Sequence, residues 1–330
     1  MSTSINLKIT LLFTALAFFC CCTKTQNEEK IDPNAGTAYL FVHMTDDNYG
    51  KMYYDISRKG VTWTSLNRGK QIEPNYTGHP TITKGGDGKY YMIGVEKAVR
   101  DCAPVVWSSS DLITWTGKKL DRSIFDVSQF GADNHDAWIG APKVFYDNAT
   151  DQFLISWHSF QEGLTDNTAL WESMRTYYIL TSDWETFTPA ARLFNFSGKD
   201  ENMATIDAII VKEDDVYYAV MKDERWPETA NTGKTIRIAS ATSVTGPYGN
   251  PGPSVTPAWR EAPTVVPNLN EKGYLLFCEE YPYHYCGFKA TSMSQTVWKS
   301  IDVNFPEGGR HGCVITVNEK EYKALMEAFL

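Results

Sequence analysis

One short module recurs five times along this chain, and no other feature restricts the fold as much. Runs rich in aromatic and β-branched residues lie at 38–43 (AYLFVH), 89–94 (KYYMIG), 152–157 (QFLISW), 216–221 (VYYAVM) and 273–278 (GYLLFC). Tyr39, Tyr90, Phe153, Tyr217 and Tyr274 mark them, at intervals of 51, 63, 64 and 57 residues. Such runs read as strands, and self-similarity at a near-constant interval is the mark of a repeat architecture. Turn-forming residues precede four of them, in KGGDGK, YDNATDQ, KEDD and NLNEKG, as tight hairpins require. Another strand-like run precedes each hairpin, at 79–84, 141–146, 206–211 and 262–267. A hydroxyl residue followed by an aromatic one closes the modules, in SRKGVTW (57–63), SSDLITW (109–115), TSDWETF (181–187) and SMSQTVW (292–298), with a weaker version at 240–248.

The first module has no leading strand, yet an unclaimed one, RHGCVITV, stands at 310–317. A missing first strand and a spare last one describe a ring closed by pairing the two ends of the chain. The pattern therefore predicts an all-β fold, a five-bladed β-propeller over residues 37–330, in which radial repetition protects the strand edges. An open β-sandwich would not generate the repeated hairpin-and-tryptophan order. Residues 318–330 (NEKEYKALMEAFL) read as a short helix packed on the outside.

The first residues read as an address. Lys8 precedes an apolar run from Ile9 to Phe19, too short for the ~20 residues of a membrane-spanning helix but suited to a secretory signal. Cys20, Cys21 and Cys22 end the run, and 23–36 form a polar linker. This looks like a bacterial lipoprotein signal over 1–22, and implies an exported protein, lipid-anchored to the outer membrane of a Gram-negative cell. Cys102, Cys278, Cys286 and Cys313 remain in the folded part; they form neither a disulfide framework nor a zinc motif, and read as buried thiols, with one bridge between Cys278 and Cys286 possible. Forty acidic against 31 basic side chains, a net charge of −9, argue against nucleic acid or an anionic membrane surface as partner.

In a propeller the innermost strands line a central channel, so their entry residues converge. Those entries are Gly78-His79-Pro80, Gly140-Ala141-Pro142-Lys143, Thr205-Ile206-Asp207, Arg260-Glu261-Ala262-Pro263 and Arg310-His311-Gly312. Each carries a charged or titratable side chain, and convergent titratable groups in a cavity are the usual sign of a binding or catalytic site. The alternative is a structural set capping strand ends, for example Asp207 or Glu261 paired with Arg310.

On these features the chain resembles the five-bladed glycosidases of glycoside hydrolase family 43 and, more distantly, family 117. The likeness runs over about 37–325 and rests on the blade pattern, Ile206-Asp207, Glu261-Ala262-Pro263 and Arg310-His311-Gly312. It implies an exo-acting hydrolase that releases a terminal arabinofuranosyl, xylosyl or galactosyl-like sugar from a plant or algal polysaccharide, typically with inversion. Glu261 matches the general acid and Asp207 the carboxylate that tunes it; inverting hydrolysis needs a protonated acid and a carboxylate on the opposite face activating water. Asp207 is expected to hold Glu261 protonated through its negative charge.

The chain departs from that pattern at the base, where His79-Pro80 stands in place of an aspartate before the proline. His79 is read either as an acid/base group or as a hydrogen-bonded channel histidine, and Asp46, Asp47 and Asp136 are the neighbouring carboxylates. Lys143 occupies an entry that is acidic or amide-bearing in the family. Asp46, His135, Asp136, Trp138, Lys143, Arg310 and His311 complete the expected substrate-binding set, with Trp171, Arg225 and Trp226 on long insertions that would shape the pocket. His43 and His158, at core strand ends, read as structural. The partner is an oligosaccharide or polysaccharide, the membrane is met only through a lipid anchor, and a monomer is expected. No metal or phosphate-loop motif occurs, so no cofactor is expected beyond, at most, a structural calcium. The second reading is a sugar-binding propeller that has lost hydrolysis along with its base.

Overall fold

The computed structural model describes Met1 and residues 35–95, 104–132 and 139–330. Five antiparallel sheets follow one another in the folded unit. Blade one joins Gly309–Val317, Ala38–Thr45, Tyr53–Ser57 and Thr64–Ser65, in that order from the inside. Blade two is Thr83–Lys84, Tyr90–Gly94, Val105–Ser109 and Thr116–Lys119. Blade three runs Gly140–Asp147, Gln152–Ser159, Arg175–Thr181 and Ala191–Arg192. Blade four has Thr205–Glu213, Val216–Asp223 and Thr235–Ala241, and blade five Arg260–Pro267, Tyr274–Glu280, His284–Ala290 and Lys299–Ile301. The spare last strand does close the ring: Ala38 pairs with Val317 and Val42 with Cys313. Gly312 lets these strands meet, because a Cβ there would fall 2.4 Å from the Val42 carbonyl oxygen.

The core is divided as the repeat demands, with a large buried apolar cluster in each gap between neighbouring blades and a small second one, Met174, Ala204 and Ile206, between blades three and four. Leu40, Met52, Met92 and Trp115 fill the gap between blades one and two, and Tyr39, Phe41, Leu275 and Phe277 the gap that closes the ring. The recurring hydroxyl has a local purpose. Ser57, Ser109 and Thr181 accept the backbone N–H of Gly60, Leu112 and Trp184 at 2.8, 2.9 and 2.9 Å, turning the chain between third and fourth strands. The aromatic that follows then enters an interblade core: Trp115 donates from Nε1 to the Tyr54 hydroxyl at 2.9 Å.

Two details differ from expectation. The inner strand of blade two pairs only over Thr83–Lys84 rather than 79–84. Pro80 has no N–H to give, while Gly78 N donates to Gly50 O and Ile82 N to Cys313 Sγ, so this segment leans on blade one. Blade four has three strands among the described residues. Its outer edge is instead bonded by a Gly- and Pro-rich segment through Gly249, Gly252 and Val255, which donate to Ser240, Ile238 and Ile236. The terminal helix spans Glu319–Phe329 with an Asn318 capping box and buries Leu325 against blades one and two. No helix among the described residues is long and apolar enough to cross a membrane. Cys278, Cys286 and Cys313 are free thiols, with the first two Sγ atoms 3.5 Å apart; Cys102 and the cysteines at 20–22 lie outside the described residues.

Candidate active site

Four inner strands carry a β-bulge at the same place. The register breaks between Gly140 and Lys143, Ile206 and Ile209, Glu261 and Thr264, and opposite Val42/Met44. At each break a residue other than glycine has positive φ: Ala141 (39°), Asp207 (53°), Ala262 (48°) and His311 (20°). A bulge re-aims a side chain at the cost of a ladder bond, and such conformations persist only where the surroundings impose them. Here they turn the strand entries into the channel mouth. The residue before each bulge faces the end of the second strand: Gly140 opposite His158, Ile206 opposite Lys222, Glu261 opposite Glu279, Arg310 opposite Met44.

Glu261 is the hub of the site. Its Oε2 accepts from Lys222 Nζ at 2.7 Å and its Oε1 lies 3.1 Å from His311 Nε2. Lys222 also pairs with Glu224 at 2.8 Å, and Glu224 with Lys234. On the far side, His311 N donates to Glu279 Oε2 at 3.1 Å, and Arg310 Nε lies 2.5 Å from Glu279 Oε1, a charge contact without the angle of a hydrogen bond. Arg310 reaches Asp46 at 2.6 Å on the rim. Charges thus alternate in one unbroken row from Lys234 to Asp46. Asp207, buried, accepts from Ala262 N at 3.2 Å, receives a long 3.5 Å contact between its own N and His158 Nδ1, and has no hydrogen-bond partner on Oδ1 among the described residues.

His79 is nine-tenths buried in the same cluster. Its ring stacks on His311 with centroids 4.8 Å apart, and its Nε2 is 3.1 Å from the Tyr49 hydroxyl. The expected residues Glu261, Asp207, His79, Arg310 and His311 therefore share one mouth, with Asp46 on its rim. Lys143 is buried lower, facing the axial channel, and is felt electrostatically by Asp207. His135, Asp136 and Trp138 lie outside the described residues. Arg225 is bound to Asp223 and Asp200 at 2.6 and 2.8 Å and supports blade four. His43 is structural, holding Asp55 at 2.5 Å, whereas His158 belongs to the site.

The electrostatics overturn one expectation. Burial alone would raise the Glu261 pKa, but the Lys222 ammonium and His311 outweigh it and hold the carboxyl well below its ordinary range. Asp207 does not keep it protonated. Burial also works against a charged His311, yet the hydrogen bond and charge of Glu261 raise its pKa, so in this pair the proton resides on the imidazole. The carboxyl pushed upward is Glu279, through burial and the neighbouring charge of Glu261. Asp207 is depressed: His311 and Lys143 overcome its desolvation.

Lys222, Glu224 and Glu279 escaped the sequence reading, which looked only at strand entries. A signal was present: five residues past the aromatic marker stand His158, Lys222 and Glu279, polar endings to apolar second strands. Ligand atoms of Glu261, Glu279 and His311 lie within 4.8 Å of one another, a spacing suited to a cation. Lys222 and Arg310 already bring positive charge to both carboxylates, so the donor set is neutralised by the protein itself.

Residues 34–323 match the model of a family described as a probable glycosyl hydrolase domain, related to glycoside hydrolase family 43. No curated protein matches the chain. Among solved structures, the chain is similar to an α-L-arabinofuranosidase from Lactobacillus brevis, with 16% identity, a TM-score of 0.53, and 76% of this chain and 82% of that one covered. It is likewise similar to the native arabinanase of Bacillus subtilis (16%, TM-score 0.50, 72% and 84%) and to an exo-β-1,3-galactanase from Clostridium thermocellum (16%, TM-score 0.52, 73% and 50%). It spans about half the length of the exo-galactanase chains. At these identities the likeness is one of fold, and the family match carries the rest: this chain belongs to the family 43-related probable glycosyl hydrolases.

Proposed function

We propose that the protein is an exo-acting glycoside hydrolase that removes a terminal arabinofuranosyl, xylosyl or galactosyl-like sugar from a plant or algal polysaccharide with inversion, in an exported, lipid-anchored form. The observation that carries this reading is the Glu261–His311 pair at the mouth of the channel. In the free protein the proton sits on His311 Nε2. It passes to Glu261 as the glycosidic oxygen arrives, and from Glu261 to the leaving oxygen as the bond to the anomeric carbon breaks. Asp207, ionised and without a hydrogen bond on Oδ1 among the described residues, stabilises the positive charge that develops on the sugar. The base role is assigned to His79, whose ring stacks on that of His311 at the mouth. Asp46, the alternative carboxylate, is engaged by Arg310 on the rim, and His79 by the Tyr49 hydroxyl.

The test is turnover of arabinan, xylan, galactan and aryl glycosides, with the first-formed anomer read by proton NMR. Inversion, and loss of turnover in His79→Ala with glycan binding retained, are expected. Retention of configuration would remove the mechanism. A protein that binds these glycans without cleaving any of them would be the sugar-binding propeller, the reading that the loss of an aspartate at His79 favours.

A further inference from the structure

Trp259 and Tyr281 are two of the exposed large hydrophobic side chains, and both belong to the segments flanking the inner-strand entry of blade five. Trp259 is the least explicable as a folding residue. It is 44% exposed and held at φ 62°, a conformation costly for a bulky residue, so neither its burial nor its backbone serves stability. The surroundings impose that shape. Tyr281 N donates to Trp259 O at 3.2 Å, and Arg260 N donates to Lys234 O at 2.9 Å, pinning the segment between blades four and five.

Trp259 continues into a row. The Trp226 ring meets it edge to face at 6.0 Å, and the backbone N–H of Tyr281 is bonded to its carbonyl. The two ends of the row rest on cations from the site. Lys234 sits 4.4 Å from the Trp226 centroid and Arg310 5.4 Å from that of Tyr281. Lys234 leads through Glu224 and Lys222 to Glu261, and Arg310 leads to Glu279. The rings are therefore tied to the catalytic charges while Trp259 and Tyr281 keep surface for a ligand.

Resting on the hydrolase reading above, we propose that Trp226, Trp259 and Tyr281 form an aromatic platform for the leaving-side sugars of the substrate, and that this substrate is an uncharged pyranose chain. The side follows from sequence: Trp259 precedes the proposed proton donor Glu261 by two residues on the same strand entry, so it flanks the oxygen that leaves. The class follows from chemistry. A pyranose offers an apolar C–H face that stacks on an aromatic ring. An acidic sugar would need a spare cation, but Arg260 is paired with Glu280 at 2.6 Å, Lys234 with Glu224, and Arg310 with Asp46 and Glu279.

Affinity electrophoresis of the full chain in gels containing neutral galactan, neutral xylan or polygalacturonate tests this, beside aryl glycoside turnover. Wild type should be retarded by a neutral polymer and not by polygalacturonate. Trp259→Ala should bind that polymer at least tenfold more weakly with no loss of melting temperature; Trp259→Tyr should restore most of the affinity. Trp259→Gly suits the positive φ, so it should lose the same affinity with no loss of melting temperature. Val297→Ala, at an exposed apolar residue just before the outer strand of blade five, should bind as wild type does. Undiminished binding by Trp259→Ala, or stronger retention on polygalacturonate, overturns the platform while the hydrolase reading stands. Loss of affinity accompanied by a lowered melting temperature in both Trp259→Ala and Trp259→Gly would make Trp259 a structural residue and overturn the platform. Absence of retardation by any neutral polymer, with aryl glycosides still cleaved, overturns the platform alone; absence of both overturns the two together.

Discussion

The same inner strands build the two ends of the axial channel in opposite ways. At the mouth four of them bulge and carry Glu261, Asp207 and His311 into one polar cluster. Further down, beyond the bulges, they run in regular register and line a cavity of about 340 Å³ with Val144, Ile209, Val265 and Val314. Neighbouring blades are bonded to each other there: Thr264 Oγ1 accepts from Val314 N at 2.9 Å. The terminal helix stands at that end, where Glu321 holds Lys84 at 2.9 Å and the Tyr90 hydroxyl at 2.5 Å. Strained backbone and buried charge thus concentrate where chemistry is proposed, and regular pairing where only the ring must hold. The mouth is expected to govern rate and the lower end stability.

The largest effect should come from Glu261→Gln. A positioned general acid contributes about 10²–10⁴-fold, so turnover of substrates with poor leaving groups should fall by that factor, and that of activated aryl glycosides far less. Parallel losses on both, measured as kcat/KM, would take the proton-donor role from Glu261 and break the comparison at its stronger end.

Lys222→Met should damage both properties, because Lys222 serves both Glu261 and Glu224. Removing one partner of a buried ion pair costs about 3–5 kcal/mol, readable in urea unfolding. The pH dependence has a definite sign. Glu261 is depressed below its ordinary 4.5, so its contribution to stability is full above that value and is lost as the pH falls through the folded-state value. Without Lys222 that loss should begin at a higher pH. An unshifted acid unfolding profile would mean that His311 alone holds the carboxylate ionised.

Leu325→Ala probes the other end. Leu325 is fully buried between the helix and blades one and two. Truncating it should cost about 2–3 kcal/mol, at the lower part of the range for buried leucine because a surface helix can settle. Steady-state kcat at a temperature well below unfolding should not change. A tenfold fall in kcat with the protein still folded would show that the helix reaches the mouth.

Much of this division was legible in the chain. Hairpin turns and aromatic runs betrayed the blades because strand pairing and interblade packing repeat the same local demands, and the unpaired RHGCVITV run betrayed the closure. Entry residues such as Glu261, Asp207 and His311 could be placed at one mouth from topology alone. Their charge states could not. Whether Glu261 is protonated depends on Lys222, which lies 39 residues earlier and meets it only across two blades. The bulges were equally hidden, since nothing in Ile206-Asp207-Ala208 marks a positive φ; the conformation is imposed by the neighbouring blade, where Ala262 N donates to Asp207. Trp259 was passed over because an exposed tryptophan and a buried one look alike in sequence.

The smallest effect should follow Lys84→Ala. The Lys84–Glu321 pair is the lower end's counterpart to Lys222–Glu261, with similar distances of 2.9 and 2.7 Å. What differs is water: the Lys84 side chain is 43% exposed and that of Lys222 8%. Solvent screens the first pair and the freed Glu321 can be hydrated, so the loss should stay under about 1 kcal/mol, even counting the contact of Lys84 with the Tyr90 ring at 4.8 Å. The second pair has no such refuge. Equal destabilisation by Lys84→Ala and Lys222→Met in the same unfolding assay would mean that burial does not separate the two ends, and that the charge row at the mouth is ordinary surface pairing. A difference of several kcal/mol, with kcat/KM within twofold of wild type for Lys84→Ala, is the expected result.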